Sequence, residues 1–191
     1  MAIEVKQESL TSLDVYADIP IAFEVSEIFD VAAEPDGSGR LSLHARPIPV
    51  PWVKDYDAVS GEGPAQWARR FDVSGWALFS AFSAGQRVGR AAVAHDTPAL
   101  DMLEGRRDLA VLWDIRVAPS FRRCGVGSAL FNAAVAWASE KGCRQLKVET
   151  QDINVAACRF YAQRGCVLGA AHRGVYPEFP DEIQMLWFKN V

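Results

Sequence analysis

A glycine-rich turn between a strand pattern and a helix pattern constrains the fold of this chain more than any other feature. Residues 110–117 (AVLWDIRV) predict a strand, arginines follow at 122–123, and Gly125 and Gly127 precede a run with helical spacing. A turn of this kind leaves backbone N–H groups unpaired at the start of the helix, beside the positive end of the helix dipole. The sequence therefore predicts a binding site for a pyrophosphate or a similar anion.

The composition indicates a globular protein with neither a nucleic-acid nor a membrane partner. The chain has 191 residues, of which 50% are hydrophobic and 23% charged, which is enough for one domain with a sizeable core. Its formal net charge of −4 disfavours nucleic acid, which binds basic surfaces. No apolar run reaches the ~20 residues that span a bilayer, and the N-terminus has no signal-peptide pattern. We therefore expect a cytoplasmic protein.

The four cysteines predict neither a metal site nor a disulfide framework. They form no Cys-x-x-Cys pair and have no accompanying histidine spacing, which zinc sites normally show. We therefore expect reduced thiols and no metal.

The order of the predicted elements indicates an α/β fold with helices packed on a mixed sheet. Residues 22–31 and 40–45 alternate in polarity and predict a hairpin around the turn-forming residues 34–39. Prolines within 47–51 predict an irregular extended segment after it. The other predicted strands are 75–82, 87–95, 110–117, 146–150, 167–170 and 184–188, and the main predicted helices are 128–141 and 154–164.

Two well-known phosphate-binding patterns were compared with the turn. The Walker pattern is excluded, because no Gly-Lys-Ser/Thr follows the glycines. The dinucleotide fingerprint fits better, since Glu149 ends the next strand about where a ribose-binding acid belongs. Leu130 stands at the third glycine position, which disfavours this alternative and leaves it open.

A second motif downstream gives the half-chain 73–170 a family resemblance. The motifs are Val117-x-Pro119, Arg122-x-x-Gly125-x-Gly127 and Asn154-x-x-Ala157-x-x-Phe160-Tyr161-x-x-x-Gly165. Together they resemble the GNAT superfamily of acetyl-coenzyme A-dependent N-acetyltransferases. The patches 27–31, 148–151, 154–158 and 182–185, together with Tyr176, resemble, more narrowly, the streptothricin acetyltransferases.

The resemblance implies an architecture and a domain organisation. The GNAT-like fold is α/β, with a mixed, mostly antiparallel central sheet, a splayed parallel pair and flanking helices. A single acetyltransferase domain would cover residues 1–191, with an acceptor-side part at 1–72, an acetyl-coenzyme A-binding core at 73–170 and a C-terminal strand region at 171–191. Dimers are common in the family, so a homodimer is one expectation.

The resemblance also implies that acetyl-coenzyme A is the co-substrate and that the glycine-rich turn binds its pyrophosphate. The backbone at the end of the 110–117 strand would pair with the pantetheine amides. For Arg122, contact with coenzyme A and a solvated turn remain equally open. The expected binding residues are Ile115, Arg116, Val117, Arg122, Arg123, Gly125, Val126, Gly127, Ser128, Asn154 and Tyr161.

Transfer of acetyl to an amine needs a proton acceptor and a donor to the departing thiolate. An alkylammonium has a pKa near ~10.4, so deprotonating it at pH 7 costs about 4–5 kcal/mol. Asp114 is the first candidate acceptor and Glu149 the second, with a structural role for Asp114 left open. The resemblance implies that Tyr161 protonates the thiolate, and a core aromatic role is the alternative.

The acceptor would be a primary amine of a small cationic molecule, such as a streptothricin-type antibiotic. Acidic and aromatic residues outside the core suit such a cation through ion pairing and cation–π contact. Acetylation of a protein or peptide amine and a non-catalytic acyl-coenzyme A-binding module remain alternatives. The candidate acceptor-binding residues are Asp55, Tyr56, Glu149, Tyr176 and Glu182.

Overall fold

A computed structural model describes residues 2–36 and 38–191. Gly37, within the predicted turn 34–39, lies outside the described residues. The described chain divides into a first unit (residues 2–22, 55–146 and 191) and a second unit (residues 23–36, 38–54 and 147–190). That the chain forms one acetyltransferase domain stays a prediction.

The first unit contains four strands in the order β1-β4-β5-β6, with antiparallel pairing between each pair of neighbours. The predicted strands 75–82, 87–95 and 110–117 are confirmed, whereas the N-terminal strand was not predicted. The elements of the first unit are β1 (Glu4–Glu8), a 3₁₀ segment (Leu10–Asp18), α1 (Pro64–Arg70), β4 (Ala77–Ser83), β5 (Gln86–Ala94), β6 (Leu109–Val117) and α2 (Val126–Glu140).

Helix α2 packs on β4, β5 and β6, and a glycine on β5 sets how closely it approaches. A Cβ at Gly89 would lie 2.8 Å from the carbonyl oxygen of Arg116, 2.8 Å from Val126 Cγ1 and 3.0 Å from Leu130 Cδ1. In the dinucleotide fingerprint a glycine on the helix allows this packing. Here the missing side chain is on the strand, so Leu130 can occupy the helix position.

On the other side of the first unit, the core is aromatic. Tyr16, Trp67, Phe71, Trp76 and Trp113 form a cluster in which neighbouring ring centroids lie 5.1–6.4 Å apart. Edge-on and tilted contacts of this kind add stability beyond the apolar area that they bury. The cluster fixes the 3₁₀ segment and α1 against the strands.

The second unit combines a long hairpin with strands in the order β7-β9-β8 and one helix. Asp152 joins the hairpin to the rest of this unit, because its carbonyl oxygen accepts a hydrogen bond from the backbone N–H of Phe29 at 3.0 Å. The elements are β2 (Phe23–Ala33), β3 (Leu41–Lys54), β7 (Gln145–Gln151), α3 (Val155–Gln163), β8 (Val167–His172) and β9 (Gln184–Asn190).

The segment predicted to be irregular, 47–51, lies within strand β3, but its pairing with β2 is interrupted. Strand β3 continues to Lys54, and Trp52 and Pro47 pair with Val25 and Glu27 of β2. Only Ser26 lies between the latter two residues, so residues 48–51 bulge from the ladder. Prolines are tolerated there because a two-stranded ribbon has open edges and the bulged residues need no ladder hydrogen bond.

No helix in the described part of the chain is long and apolar enough to cross a membrane.

Candidate active site

The turn before α2 has the geometry expected of an anion-binding site. Arg123 and Gly125 have positive φ angles of 62° and 86°, which turn the chain sharply into the helix. The first helical hydrogen bond runs from Ala129 N–H to the carbonyl oxygen of Gly125 (3.0 Å). The N–H groups of residues 126–128 precede this bond, so they are available to an anion at the helix N-terminus.

The two arginines of the turn differ in their surroundings. Arg122 Nη2 donates to the carbonyl oxygen of Ala22 at 2.7 Å, and its Nε donates to that of Val117 at 3.3 Å. Arg122 therefore braces the turn against the end of β6 and the N-terminal segment. Arg123 is exposed beside Gly125.

At the end of β6, side chains alternate between two environments. Asp114 and Arg116 are buried, whereas Ile115 and Val117 are half-buried on the opposite face. Asp114 Oδ1 accepts from Tyr16 Oη at 3.0 Å, and both of its oxygens accept from Arg116. Burial raises the pKa of the Asp114 carboxyl, and the Arg116 charge offsets this rise only in part.

Arg116 connects β6 to two other segments of the first unit. Its Nη1 and Nη2 donate to Asp57 at 2.5 and 2.9 Å, and Nη1 also donates to the carbonyl oxygen of Ile19 at 3.4 Å. Burial lowers the pKa of Arg116, but the charges and hydrogen bonds of Asp114 and Asp57 outweigh burial and raise it. This network was not predicted. The signal for it in the sequence is strand alternation, which places Asp114 and Arg116 on one face of β6.

The predicted acceptor residues of the first unit lie in the loop that carries Asp57. Asp55 is exposed and its Oδ1 accepts from the backbone N–H of Asp57 at 3.0 Å, whereas Tyr56 is half-buried. Asp55 therefore stabilises the loop conformation that places Asp57 beside Arg116.

In the second unit, Glu149 lies in a polar cluster with Gln151, Tyr176 and Gln184. Tyr176 Oη donates to Glu149 Oε1 and Gln184 Nε2 donates to Glu149 Oε2, each at 2.6 Å, and Gln151 Nε2 donates to Tyr176 Oη at 3.0 Å. Both donors to Glu149 are uncharged, so these contacts orient the carboxylate without neutralising it. Burial and the nearby Glu149 charge raise the pKa of Tyr176, which keeps it a donor.

The motif Asn154-x-x-Ala157-x-x-Phe160-Tyr161 begins at the start of α3. Asn154 is the N-cap of α3, and its side chain accepts from Ala157 N–H at 3.2 Å. Tyr161 is buried on α3 and packs edge-on to Phe160, with ring centroids 5.2 Å apart. Cys158, on the same helix, is buried beside Thr150, and burial raises the pKa of its thiol to about 11.

Glu182, a predicted acceptor-binding residue, is buried and paired within the chain. Its Oε1 lies 2.5 Å from Lys54 Nζ, and that ammonium lies 3.0 Å from the centroid of the Phe179 ring. The negative charge of Glu182 is thus balanced by Lys54.

Among the residues that the structure describes, no three His, Cys, Asp or Glu side chains are grouped to hold a metal ion. The absence of a metal stays a prediction.

A profile of the acetyltransferase (GNAT) family matches residues 41–166, which include the turn before α2, Glu149 and the α3 motif. The chain belongs to the GNAT family. This finding confirms the predicted enzyme class, an acetyl-coenzyme A-dependent N-acetyltransferase, and excludes the dinucleotide alternative.

Relatives of this GNAT chain include streptothricin acetyltransferases. It is 43% identical over 81 residues to streptothricin acetyltransferase A of Bacillus subtilis (strain 168), a match that covers 41% of this chain and only 47% of that protein. The chain thus spans about half the length of that relative. A streptothricin acetyltransferase of Escherichia coli is 29% identical over 171 residues, which cover 87% of this chain and 84% of that protein.

Solved structures show the same fold at lower identity. One from Bacillus anthracis str. Ames, provisionally assigned as a streptothricin acetyltransferase and bound to acetyl coenzyme A, has a TM-score of 0.79 at 22% identity over 100% of both chains. A nourseothricin acetyltransferase has a TM-score of 0.76 at 22% identity, covering 100% of this chain and 99% of that one. The predicted GNAT fold is confirmed as α/β, with a mixed, mostly antiparallel sheet, one parallel pair and flanking helices.

Proposed function

We propose that this GNAT chain transfers acetyl from acetyl-coenzyme A to a primary amine of a small cationic molecule, with streptothricin-type antibiotics as the first candidates. The observation that carries the proposal is the environment of the Glu149 carboxylate. Two uncharged donors orient this carboxylate, and they do not neutralise its charge. Such a group suits both an ammonium ion and the proton that this ion must lose. The names of the two curated relatives support the antibiotic.

For the co-substrate, the proposed contacts in the first unit come mainly from the backbone. The N–H groups of 126–128 and the dipole of α2 would bind the pyrophosphate, with the exposed Arg123 as a counter-charge. The backbone of Ile115, Arg116 and Val117 would pair with pantetheine. The side chain of Arg116 has a separate role, because it is held by Asp57 and Asp114.

For the proton from the amine, the contacts favour Glu149 over Asp114. Both oxygens of Asp114 already accept from the guanidinium of Arg116, so a proton on Asp114 would weaken a buried ion pair. A proton on Glu149 breaks no ion pair with Tyr176 or Gln184, because these donors are a hydroxyl and an amide. We therefore assign proton acceptance to Glu149 and a positioning role to Asp114.

The transfer itself needs no covalent intermediate on the enzyme. The ammonium first gives one proton to Glu149, and the neutral amine nitrogen then attacks the thioester carbonyl carbon. As the carbon–sulfur bond breaks, Tyr161 donates a proton to the departing thiolate, and the second proton of the nitrogen passes through solvent and restores the Tyr161 hydroxyl. Cys158 does not suit a nucleophile, because its thiol is buried and its pKa is raised to about 11.

Release of free coenzyme A thiol from acetyl-coenzyme A tests the proposal when amines of different classes are supplied. Streptothricin, spermidine, a peptide with a free N-terminus and an amine-free blank should be compared at equal concentration. Turnover with streptothricin or the polyamine supports a small cationic acceptor. Turnover with the peptide alone would replace it by peptide acetylation, and binding of acetyl-coenzyme A without any turnover would replace it by a non-catalytic module.

A further inference from the structure

The loop between β8 and β9, residues 173–183, is organised by two consecutive turns. Phe179 N–H donates to the carbonyl oxygen of Tyr176 at 3.1 Å, and Glu182 N–H donates to that of Phe179 at 3.0 Å. These turns space Tyr176, Phe179 and Glu182 evenly, three residues apart. We call residues 173–183 the strap.

Two of the three evenly spaced side chains meet one lysine. Lys54, the last residue of β3, is buried, and its Nζ lies 2.5 Å from Glu182 Oε1 and 3.0 Å from the centroid of the Phe179 ring. The paired side chains are only 10% and 11% exposed. An ammonium that contacts a carboxylate and an aromatic face at once fixes both side chains in direction.

The third side chain belongs to the polar cluster of Glu149. Tyr176 Oη donates to Glu149 Oε1 at 2.6 Å and accepts from Gln151 Nε2 at 3.0 Å. The strap ends at Ile183, whose N–H donates to Asp152 Oδ1 at 2.8 Å while Asp152 N–H donates back to Ile183 at 3.1 Å. Two sets of contacts therefore fix the position of Tyr176. Its hydroxyl is held by Glu149 and Gln151 of β7, and the strap that carries it is held by Lys54.

We propose that Lys54 is a positioning residue for the acceptor amine: through Glu182 and Phe179 it holds the strap so that Tyr176 orients the Glu149 carboxylate. This inference rests on the proposed function, because it takes Glu149 as the group that meets the amine. A buried ion pair contributes little net stability over apolar replacements, so the Lys54–Glu182 pair fits a geometric role better than a purely stabilising one. Small displacements of a positioned group are known to lower rates by up to about 100-fold.

The test compares Lys54→Met, Phe179→Leu and the double variant Lys54→Met/Glu182→Leu with Arg46→Gln. Arg46 forms an exposed ion pair with Asp30 in the same hairpin and serves as the matched control. The double variant removes both buried charges, which avoids leaving one of them unpaired. We expect KM for the amine to rise about 10-fold or more in the first three, with KM for acetyl-coenzyme A within about twofold.

Hydrogen exchange at the amides of Phe179 and Glu182 gives a readout that does not depend on turnover. We expect these amides to exchange at least about tenfold faster in the three strap variants and unchanged in Arg46→Gln. Equal rises in both KM values, or unchanged amine KM in the folded double variant, would overturn the positioning role. If the wild type acetylates no amine, the proposed function fails, while the exchange result still decides whether Lys54 holds the strap.

Discussion

Arg116 and Asp57 form a bidentate ion pair although they lie 59 residues apart in the chain, with Nη1–Oδ2 and Nη2–Oδ1 distances of 2.5 and 2.9 Å. The same guanidinium binds Asp114, so one buried cation lies between two carboxylates. This arrangement fixes the end of β6, where we propose that the co-substrate pairs with the backbone.

Replacing Arg116 by methionine should be strongly destabilising. The change leaves Asp57 and Asp114 without their cation, and breaking a buried pair in this way costs about 3–5 kcal/mol. Urea unfolding measures the free energy directly. The control is Arg107→Gln, because Arg107 pairs with Asp96 while 82% exposed. That change should cost less than about 1 kcal/mol, and equal losses in the two variants would contradict the prediction.

Glu149→Gln should lower kcat at pH 7 by about 100-fold, because the ammonium loses its proton acceptor. The remaining rate should rise about tenfold per pH unit below the amine pKa of ~10.4, since only the neutral amine then reacts. A pH profile of kcat measures both effects.

Asp114→Asn is the comparison for Glu149→Gln. We expect lower stability, because the ion pair with Arg116 is weakened, but a pH profile with the shape of the wild type. A new pH dependence in Asp114→Asn, together with an unchanged Glu149→Gln enzyme, would reverse the assignment of the proton acceptor.

Tyr161→Phe should lower kcat by at least about tenfold and leave KM for acetyl-coenzyme A unchanged, because the phenol is needed only as the thiolate leaves. Steady-state kinetics measure both constants. Tyr16→Phe is the matched control, since it also removes a buried hydroxyl and loses the bond to Asp114. A kcat within twofold of the wild type in Tyr161→Phe would leave this tyrosine with a packing role.

Gly89→Ala should weaken acetyl-coenzyme A binding as well as stability. The new Cβ would meet the Arg116 carbonyl oxygen and Val126 Cγ1 at 2.8 Å, so α2 must shift at its N-terminus. Overpacking of this kind costs about 1–3 kcal/mol, and calorimetric titration with coenzyme A reports the loss of affinity.

Gly169→Ala separates the effect on binding from a general loss of stability. Its Cβ would lie 2.7 Å from the Phe188 ring, a comparable clash on β8 in the second unit. We expect a similar change in Tm with unchanged affinity for coenzyme A. If both variants lose affinity equally, the position of α2 does not control binding.

Thiol labelling at pH 8 should modify Cys124 long before Cys158 or Cys166. Cys124 is exposed, whereas the other two thiols are buried and burial raises the pKa of each to about 11. Their thiolate fraction is therefore small at pH 8 and grows only as the pH rises towards 11. Mass spectrometry after iodoacetamide treatment identifies the labelled residue, and Cys124→Ser should keep the wild-type kcat. Early labelling of Cys158 would contradict its buried position.

Much of the fold could be predicted because its signals are local. The helix predicted at 154–164 does begin at Asn154, which is its N-cap, since a side-chain oxygen beside unpaired N–H groups stabilises a helix start in any context. The prolines of β3 misled the prediction because their effect depends on whether the strand has a free edge, and the order of residues does not give this.

Several predicted site residues turned out to have partners within the chain. Arg122 braces backbone carbonyl groups, Glu182 pairs with Lys54, and Asp114 pairs with Arg116. Each residue type is compatible with ligand binding as well, so the sequence could not distinguish the two uses. The distinguishing observation for Arg122 and Glu182 is a partner from a distant segment, whereas for Asp114 it is Arg116 on the same face of β6.

The sequence by itself determined the turn before α2. A glycine at positive φ, the start of a helix and unpaired N–H groups follow from neighbouring residues, whose backbone preferences act over a few positions. Only the tertiary structure decided which of Asp114, Glu149 and Glu182 are paired with a cation. Asp114 is bound by Arg116 and by Tyr16, 98 positions away, and Glu182 meets Lys54 across 128 positions, whereas Glu149 receives uncharged donors from Tyr176 and Gln184. Charges pair according to which segments the topology brings together, and that pairing distinguishes Glu149 from Asp114 and Glu182.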